Sequence, residues 1–156
     1  AAVMALVIFF VPDPAQGLAE MSRVVRPGGM VSAYAWDILE GGFPLAAIQE
    51  QMRAMGKVPM LPPSAEVSRK QVMHQTWVDA GLQAVETTEI KVQRSFNDFE
   101  DYWQTALLGS SVGPTIKALA AQDYEALKSG VQQRIGHGSP IVISARANAV
   151  RGFVPS

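Results

Sequence analysis

The chain contains no cysteine, only two histidines and almost no net charge. Without cysteine it has no disulfide, no thiolate zinc site and no cysteine nucleophile. Two histidines argue against a histidine-rich metal site, so we expect no metal. With 13 basic and 14 acidic residues, the net charge of −1 gives no long-range attraction for a phosphate backbone. This balance argues against a nucleic-acid partner.

Long apolar runs are also scarce. The most apolar stretch, residues 1–11, is well short of the roughly 20 residues that a membrane-spanning helix needs. No basic segment precedes it, and Pro12, Asp13 and Pro14 stand where a signal peptide would carry a small-residue cleavage site. We therefore expect no membrane association and a cytoplasmic location. Because a natural N-terminus is usually polar, the abrupt apolar start predicts a chain that begins inside a core element.

The 156 residues are 48% hydrophobic and 17% charged, which fits one globular domain with a sizeable core. We interpret residues 1–156 as a single domain. Its predicted segments are a strand–helix–strand core at residues 1–37, helices at residues 38–83, and C-terminal strands at residues 84–156 with a helical insertion at residues 97–136.

Local signals place the elements within these segments. Asp13 predicts a helix cap with Pro14 at the first position, and the helix stops at a Pro-Gly-Gly turn. Ser68 predicts a second cap, and Asn97 with Glu100 predicts a capping box. Short apolar runs predict strands at residues 30–36, 84–94 and 141–150, and strands alternating with helices are typical of an α/β fold.

Residues 20–29 read E-x-x-R-V-x-x-P-G-G and lead into an apolar strand. This form resembles the stretch between the fourth and fifth strands of class I S-adenosylmethionine-dependent methyltransferases. Further segments are similar to the C-terminal half of one subgroup, the type 11 methyltransferase domain: residues 34–37 with Gly41 and Gly42, residues 80–82, residues 96–103 and residues 145–152.

The resemblance implies an α/β fold: a partial Rossmann-like sheet with strands in the order 4-5-7-6, the last strand antiparallel, and helices on both faces. It also implies S-adenosyl-L-methionine as the cofactor and a small-molecule acceptor as the substrate. The family's glycine-rich loop and ribose-binding acidic residue are absent, so cofactor binding by these residues alone is in doubt. The fourth strand would lie at a truncated N-terminal edge, where we expect a homodimer.

The first eleven residues allow two interpretations. The resemblance makes residues 1–4 the remainder of strand four and residues 6–11 a helical turn after it. Apolar periodicity alone predicts a strand over residues 4–10.

The ends of strands four and five would face the reacting centre, as ligands do in open α/β sheets. We therefore predict Met4 and Ala5 as cofactor-binding, Trp36 as an acceptor-pocket wall and Asp37 as a catalytic base or orienting carboxylate. Each has a structural alternative, either core packing or, for Asp37, a turn cap. Tyr102 and Trp103 are predicted to bind the acceptor from a lid helix, or else to belong to an apolar core, because their spacing is that of an amphipathic helix.

Three functions remain open at this point. The first is methyl transfer from S-adenosylmethionine to a small molecule, with this chain alone inactive. The second is a non-catalytic dimerisation or binding module derived from a methyltransferase. The third is a small-molecule binder that uses the aromatic side chains of Trp36 and Trp103 as its pocket.

Overall fold

A computed structural model of the chain describes residues 1–109 and 112–156. Its four strands are β1 (Ala2–Ala5), β2 (Met30–Trp36), β3 (Gln83–Phe96) and β4 (Ile141–Phe153). Its six α-helices are α1 (Pro14–Val24), α2 (Ala46–Ala54), α3 (Lys70–Asp79), α4 (Phe99–Leu107), α5 (Gly113–Lys117) and α6 (Ala121–Ile135). Two 3-10 helices cover Ile8–Phe10 and Ala65–Ser68. No helix in the described ranges combines the length and the apolar character that crossing a bilayer requires.

The strands form one mixed sheet in the order β1-β2-β4-β3. β1 runs parallel to β2, with Ala5 opposite Tyr34, and β4 runs antiparallel to β2, with Val150 opposite Ala33. Along the chain these strands correspond to the predicted strands four, five, six and seven. The predicted order 4-5-7-6, the antiparallel last strand and the α/β class are confirmed.

The first eleven residues follow the resemblance rather than the apolar periodicity. β1 ends at Ala5, and a 3-10 helix follows at Ile8–Phe10, where periodicity alone predicted a continuing strand. Leu6 has a φ of 56°, which breaks the extended backbone between the two elements. The 3-10 helix buries Ile8 and Phe9 in the core, so these apolar residues belong to a helical turn and not to a longer strand.

The chain forms two compact units. The first comprises Ala1–Phe43, Pro62–Val92 and Ala145–Ser156, and the second comprises Pro44–Leu61 and Gln93–Ser144. Both units are discontinuous in sequence, and the predicted helical insertion at residues 97–136 lies inside the second.

The core of the first unit covers one face of the sheet. Alternate residues of β2 (Val31, Ala33 and Ala35) are buried, as expected where one face packs on helices. Leu18 of α1 and Trp77 of α3 belong to the same cluster. The remaining members include Ile8, Phe9, Met21, Val25, Met73 and Val150.

Trp77 fixes α3 to the sheet. Its indole N–H donates to the carbonyl of Val31 at 3.1 Å, and the side chain is fully buried. A Cβ on Gly152 of β4 would lie 3.1 Å from Trp77 Cδ1, so the small residue leaves room for the ring.

The E-x-x-R-V-x-x-P-G-G segment has a structural role at the end of α1. Asp13 caps the helix as predicted, accepting from the Gln16 N–H at 3.0 Å. At the other end Gly28 has a φ of 71°, and a Cβ on Gly29 would lie 2.4 Å from Val25 Cγ1. The two glycines exchange backbone hydrogen bonds of 2.9 Å with Val154, which pins the turn beside the chain's last strand.

The second unit has an aromatic core. Phe99, Tyr102 and Trp103 of α4 are buried, with the Phe99 and Trp103 rings stacked at 6.0 Å. Two ion pairs of the same unit join Lys57 to Asp123 at 2.8 Å and Lys128 to Glu100 at 2.7 Å.

Two predicted caps are wrong. α3 begins after Arg69 without a side-chain cap, because Ser68 closes the preceding 3-10 helix instead. α4 is capped by Asp98, which accepts from the Asp101 N–H at 2.9 Å. The neighbouring aspartate thus occupies the capping position that the Asn97–Glu100 spacing predicted one residue earlier.

Candidate functional site

The carboxyl ends of β1 and β2 lie side by side. The Leu6 N–H donates to the Tyr34 carbonyl at 2.9 Å, which extends the parallel ladder by one residue. Leu6 makes this bond from the left-handed region, an unfavourable conformation for a residue with a Cβ. Strained backbone of this kind is frequent at functional sites, which makes this end of the sheet a candidate site.

The two predicted cofactor-binding residues face opposite sides of β1. Met4 is half-buried against the helices, and its Cε lies 3.3 Å from where Gly17 of α1 would carry a Cβ. Ala5 is exposed on the other face of the sheet. Of the two residues, therefore, only Ala5 is placed to contact a ligand without unpacking the core.

Asp37 follows β2 and forms an ion pair with Arg146 of β4. The Asp37 side chain is 1% exposed and that of Arg146 is 33% exposed. Arg146 donates from two nitrogens to Asp37 Oδ2, with Nε at 3.1 Å, while the Glu40 N–H donates to Oδ1 at 3.3 Å. The hydrogen bond from Arg146 to the carboxylate raises the pKa of the guanidinium.

Backbone hydrogen bonds tie the same loop to β4. The Asp37 N–H donates to the Arg146 carbonyl at 3.0 Å, and the Arg146 N–H donates to the Gly42 carbonyl at 2.9 Å. A Cβ on Gly42 would lie 2.6 Å from that arginine's carbonyl oxygen, so only glycine allows this approach. Residues 37–42 therefore form a loop fixed by both side-chain and backbone contacts.

Arg69 extends the charged network at the surface. Its guanidinium bonds Glu66 at 2.8 Å and Glu40 at 2.7 Å, and Arg146 donates to the Glu40 carbonyl at 3.2 Å. The hydrogen bond to Glu66 and, to a smaller extent, the one to Glu40 raise the pKa of Arg69.

Both carboxylate oxygens of Asp37 accept hydrogen bonds. This arrangement suits a carboxylate that positions its neighbours better than one that accepts a proton in the reaction.

Trp36 ends β2 on the face opposite Ala35. Its Cα partner on β4 is Ala147, and its half-buried ring packs against the core of the first unit. Because the ring is only half-buried, it leaves some aromatic surface exposed at this end of the sheet.

Tyr102 and Trp103 lie in the core of the second unit. The Trp103 indole N–H donates to the Tyr124 hydroxyl at 2.9 Å, and the Tyr102 ring meets Phe96 edge-on at 5.3 Å. Burial raises the pKa of Tyr102. The structure thus brings Trp36 and Asp37 together in the first unit, and Tyr102 and Trp103 together in the second.

One concavity of the first unit was not predicted. A cavity of about 460 Å³ lies on the sheet beside β2, lined by Ser32 and Tyr34, which alternate with the buried residues of that strand. Arg151 and Glu86 close one side with hydrogen bonds of 2.7 and 3.0 Å. The signal in the sequence was the alternation in β2 of Ser32 and Tyr34 with alanine and valine, which left one face partly polar.

The comparisons with known proteins find structural neighbours and no sequence relatives. No family model matches the chain, and no curated protein matches it. A crystal structure from Bacillus halodurans, provisionally assigned as a methyltransferase, superposes with a TM-score of 0.50 at 15% identity. The match covers 99% of this chain and 63% of the Bacillus halodurans chain.

Two further neighbours superpose less closely. The YcgJ protein of Bacillus subtilis matches with a TM-score of 0.49 at 9% identity, over 99% of this chain and 64% of its own. Phosphoethanolamine N-methyltransferase 2 of Haemonchus contortus was solved with phosphomonomethylethanolamine and S-adenosylhomocysteine. It matches with a TM-score of 0.44 at 13% identity, over 99% of this chain and 33% of its own.

The Bacillus halodurans likeness concerns the fold, because its identity is low. Together with the strand order, it shows that the chain has a class I methyltransferase fold in part. The chain spans less than two thirds of that neighbour's length.

Proposed function

We propose that these residues take part in methyl transfer from S-adenosylmethionine to a small-molecule acceptor. The observation that carries the proposal is the sheet order β1-β2-β4-β3 with β4 antiparallel. The E-x-x-R-V-x-x-P-G-G segment supports it, since that segment forms the end of α1 and the turn into β2 in this same topology.

The residues present fit only one side of such a cofactor. Ala5 is exposed at the end of β1, and the half-buried Trp36 ends the neighbouring strand. No glycine-rich loop follows a strand in the described ranges, and Gly28–Gly29 and Gly41–Gly42 serve turns. These residues therefore supply only one wall of a cofactor site.

Within this function we assign Trp36 as a wall of the acceptor site and Asp37 as a positioning residue. Methyl transfer depends on an oriented acceptor in a shaped pocket more than on a strong base. The ion pair with Arg146 and the contacts of Gly42 hold the loop after β2 in one conformation. Tyr102 and Trp103 would act indirectly, by keeping the second unit folded.

A non-catalytic dimerisation or binding module is the second candidate. The exposed apolar side chains of Val3, Val7 and Phe10 favour it. A module of this kind needs only a surface that another chain can cover.

Calorimetric titration with S-adenosylhomocysteine tests the first proposal. The titration compares the 156-residue chain with the complete reading frame in which it is encoded. We expect micromolar binding by the complete frame and much weaker binding by the 156 residues. Ala5→Trp should weaken binding by the complete frame at least tenfold, whereas Val24→Trp, on an exposed helix end, should leave it unchanged. If neither protein binds the ligand at millimolar concentration, the methyl-transfer proposal is contradicted and the non-catalytic module is the remaining candidate.

A further inference from the structure

β3 is the outermost strand on the side of the sheet away from β1. Among the described residues, only β4 lies beside it. β3 belongs to the middle of the sequence, between α3 and α4, and it corresponds to the last strand in the order 4-5-7-6. Its outer side is therefore an edge of the fold itself.

Two side-chain contacts give the register of β3 on β4. Glu86 accepts from Arg151 at 2.7 Å, and Gln93 donates to Ser144 at 3.1 Å. Seven positions forward along β3 thus correspond to seven positions backward along β4. The two strands are therefore antiparallel, with Glu86 opposite Arg151.

The backbone of β4 shows which residues of β3 point outward. The N–H of Asp37, which follows β2, donates to the Arg146 carbonyl. Because successive residues of a strand alternate in the side to which they direct their backbone groups, the odd-numbered residues of β4 face β3. Arg151 is one of them, so Glu86 faces β4 in return. The odd-numbered residues of β3, from 87 to 93, consequently direct their N–H and C=O groups to the open side.

The four charged residues of β3 are arranged symmetrically about Ile90. Glu89 and Lys91 flank it directly, and Glu86 and Arg94 lie four positions away on either side. Each carboxylate thus mirrors a cation. An antiparallel pair of β3 strands centred on Ile90 sets every charge opposite one of the other sign, whereas a centre at residue 89 or 91 brings two like charges together.

The cations of this strand have no carboxylate partner in the part of the chain that the structure describes. Lys91 and Arg94 form no ion pair there, and the Arg94 guanidinium lies over the Phe96 ring at 4.8 Å. Glu86 and Glu89 each contact one cation of their own chain and remain partly exposed. Both signs of charge are therefore accessible along this edge.

Apolar side chains lie between these charges. Ile90 and Val92 are 41% and 42% exposed. Exposed apolar residues on an edge strand with open backbone groups are a template for pairing with another strand. Charges on such an edge normally discourage pairing, but their mirror arrangement here favours one partner, a strand of the same sequence that runs in the opposite direction.

We propose that β3 pairs antiparallel with β3 of a second copy of this chain, about a two-fold axis at Ile90. Glu89 then lies opposite Lys91 of the partner subunit, and Glu86 lies opposite the partner's Arg94. The two-fold axis repeats each contact, so four ion pairs form between the subunits. Ile90 meets its own copy as a non-hydrogen-bonded pair, with Cα atoms about 4.5 Å apart.

The backbone groups fit the same axis. Residues one position from the centre exchange N–H···O=C bonds across it, Glu89 with the partner's Lys91, and these are the residues whose groups face outward. Exposed ion pairs add little affinity but select the register and the partner. Because one pair of strands buries less than the roughly 1,200 Å² typical of stable complexes, we expect a reversible dimer.

Pairing through β3 does not require methyl transfer. S-adenosylhomocysteine binding and self-association are separate measurements, so failure of one is distinguishable from failure of the other.

Charge variants of the complete reading frame test the register. Lys91→Glu sets glutamates opposite each other, and Glu89→Lys sets lysines opposite each other. We expect each variant alone to raise the dimer dissociation constant about tenfold or more in sedimentation equilibrium. An equimolar mixture of the two should recover the unmodified affinity to within about threefold, because every charge of the mixed dimer meets its opposite. Lys117→Glu, exposed on α5, is the matched control and should change nothing.

The mixture separates the proposed contact from a general loss of structure, since a misfolded variant is not rescued by a second one. Unchanged association of either variant, or no recovery in the mixture, would overturn the register. A monomeric unmodified protein at every concentration would overturn the pairing itself.

A disulfide trap tests the position of the axis. Residues 1–156 contain no cysteine, so Ile90→Cys introduces a single thiol once any cysteine outside them is replaced by serine. The Cα separation expected at the axis lies within the range that a disulfide spans. Under mild oxidation, Ile90→Cys should form a covalent dimer about tenfold faster than the control Val24→Cys, whose thiol is exposed on α1. Equal rates would exclude an axis at Ile90.

Discussion

The two compact units place their ion pairs in different environments. In the first unit Asp37 is 1% exposed and depends on Arg146, which reaches it from the partly exposed side. In the second unit Glu100 and Lys128 form a similar contact with 52% and 28% of their side chains exposed. A buried carboxylate that loses its partner cannot return to water, whereas an exposed one can. The same pair of charges should therefore matter much more in the first unit.

Arg146→Met gives the largest expected effect. It leaves the Asp37 carboxylate buried without its cation, and we expect a loss of about 3 kcal/mol in the free energy of unfolding. Lys128→Met is the matched control in the second unit, with an expected loss below about 1 kcal/mol. Urea denaturation of both variants measures the difference. Equal losses would show that burial of Asp37 does not govern the contribution of its ion pair.

The two buried tryptophans give a smaller contrast. Trp77→Phe in the first unit leaves space beside Gly152 and removes the only side-chain donor described on the Val31 carbonyl, so we expect a loss of about 2 kcal/mol. Trp103→Phe in the second unit should cost about 1 kcal/mol, because the half-buried Tyr124 hydroxyl can turn to other partners. Thermal unfolding ranks the two variants, and a larger loss for Trp103→Phe would reverse the comparison.

The first unit was more accessible to prediction than the second. Strand alternation at Val31, Ala33 and Ala35 and the Asp13 cap are local signals, and both appear in the structure. The sheet order was not local: it followed from the resemblance of residues 20–29, because periodicity reports which side of a strand is buried and not which strand lies beside it.

The contacts of the site could not be predicted from spacing. Asp37 and Arg146 are separated by 109 positions, and nothing in either sequence neighbourhood indicates the other. Charged side chains in a strand usually lie at an edge or a rim, yet the partner of Arg146 is a carboxylate that is 1% exposed. In the second unit, helical spacing left Tyr102 and Trp103 open to two interpretations, since core and lid residues share one periodicity.

Unlike the substitutions above, replacement of Tyr102 in the aromatic core is not expected to lower the stability of the fold. Its buried hydroxyl has no hydrogen-bond partner among the described residues. Tyr102→Phe removes a desolvated polar group, and we expect stability to stay unchanged or to rise by up to about 1 kcal/mol. Tyr124→Phe is the control: it removes the acceptor of the Trp103 indole N–H and should destabilise by about 1 kcal/mol. A clear loss for Tyr102→Phe would indicate that its hydroxyl has a partner.

The smallest effect concerns the pH dependence of the exposed pairs. The hydrogen bond from Lys128 lowers the pKa of Glu100 below its ordinary 4.5. A carboxyl with a lowered native pKa stabilises the fold above the unfolded pKa, and this contribution disappears as pH falls through the native pKa. The stability difference between the unmodified chain and Lys128→Met should thus be small near neutral pH and should disappear below about pH 4. Lys70→Met in the first unit should behave alike, because Lys70 lowers the pKa of the exposed Glu89 in the same way. High salt should shrink both differences. A difference that persists in acid would mean that these lysines stabilise through packing of their stems rather than through charge.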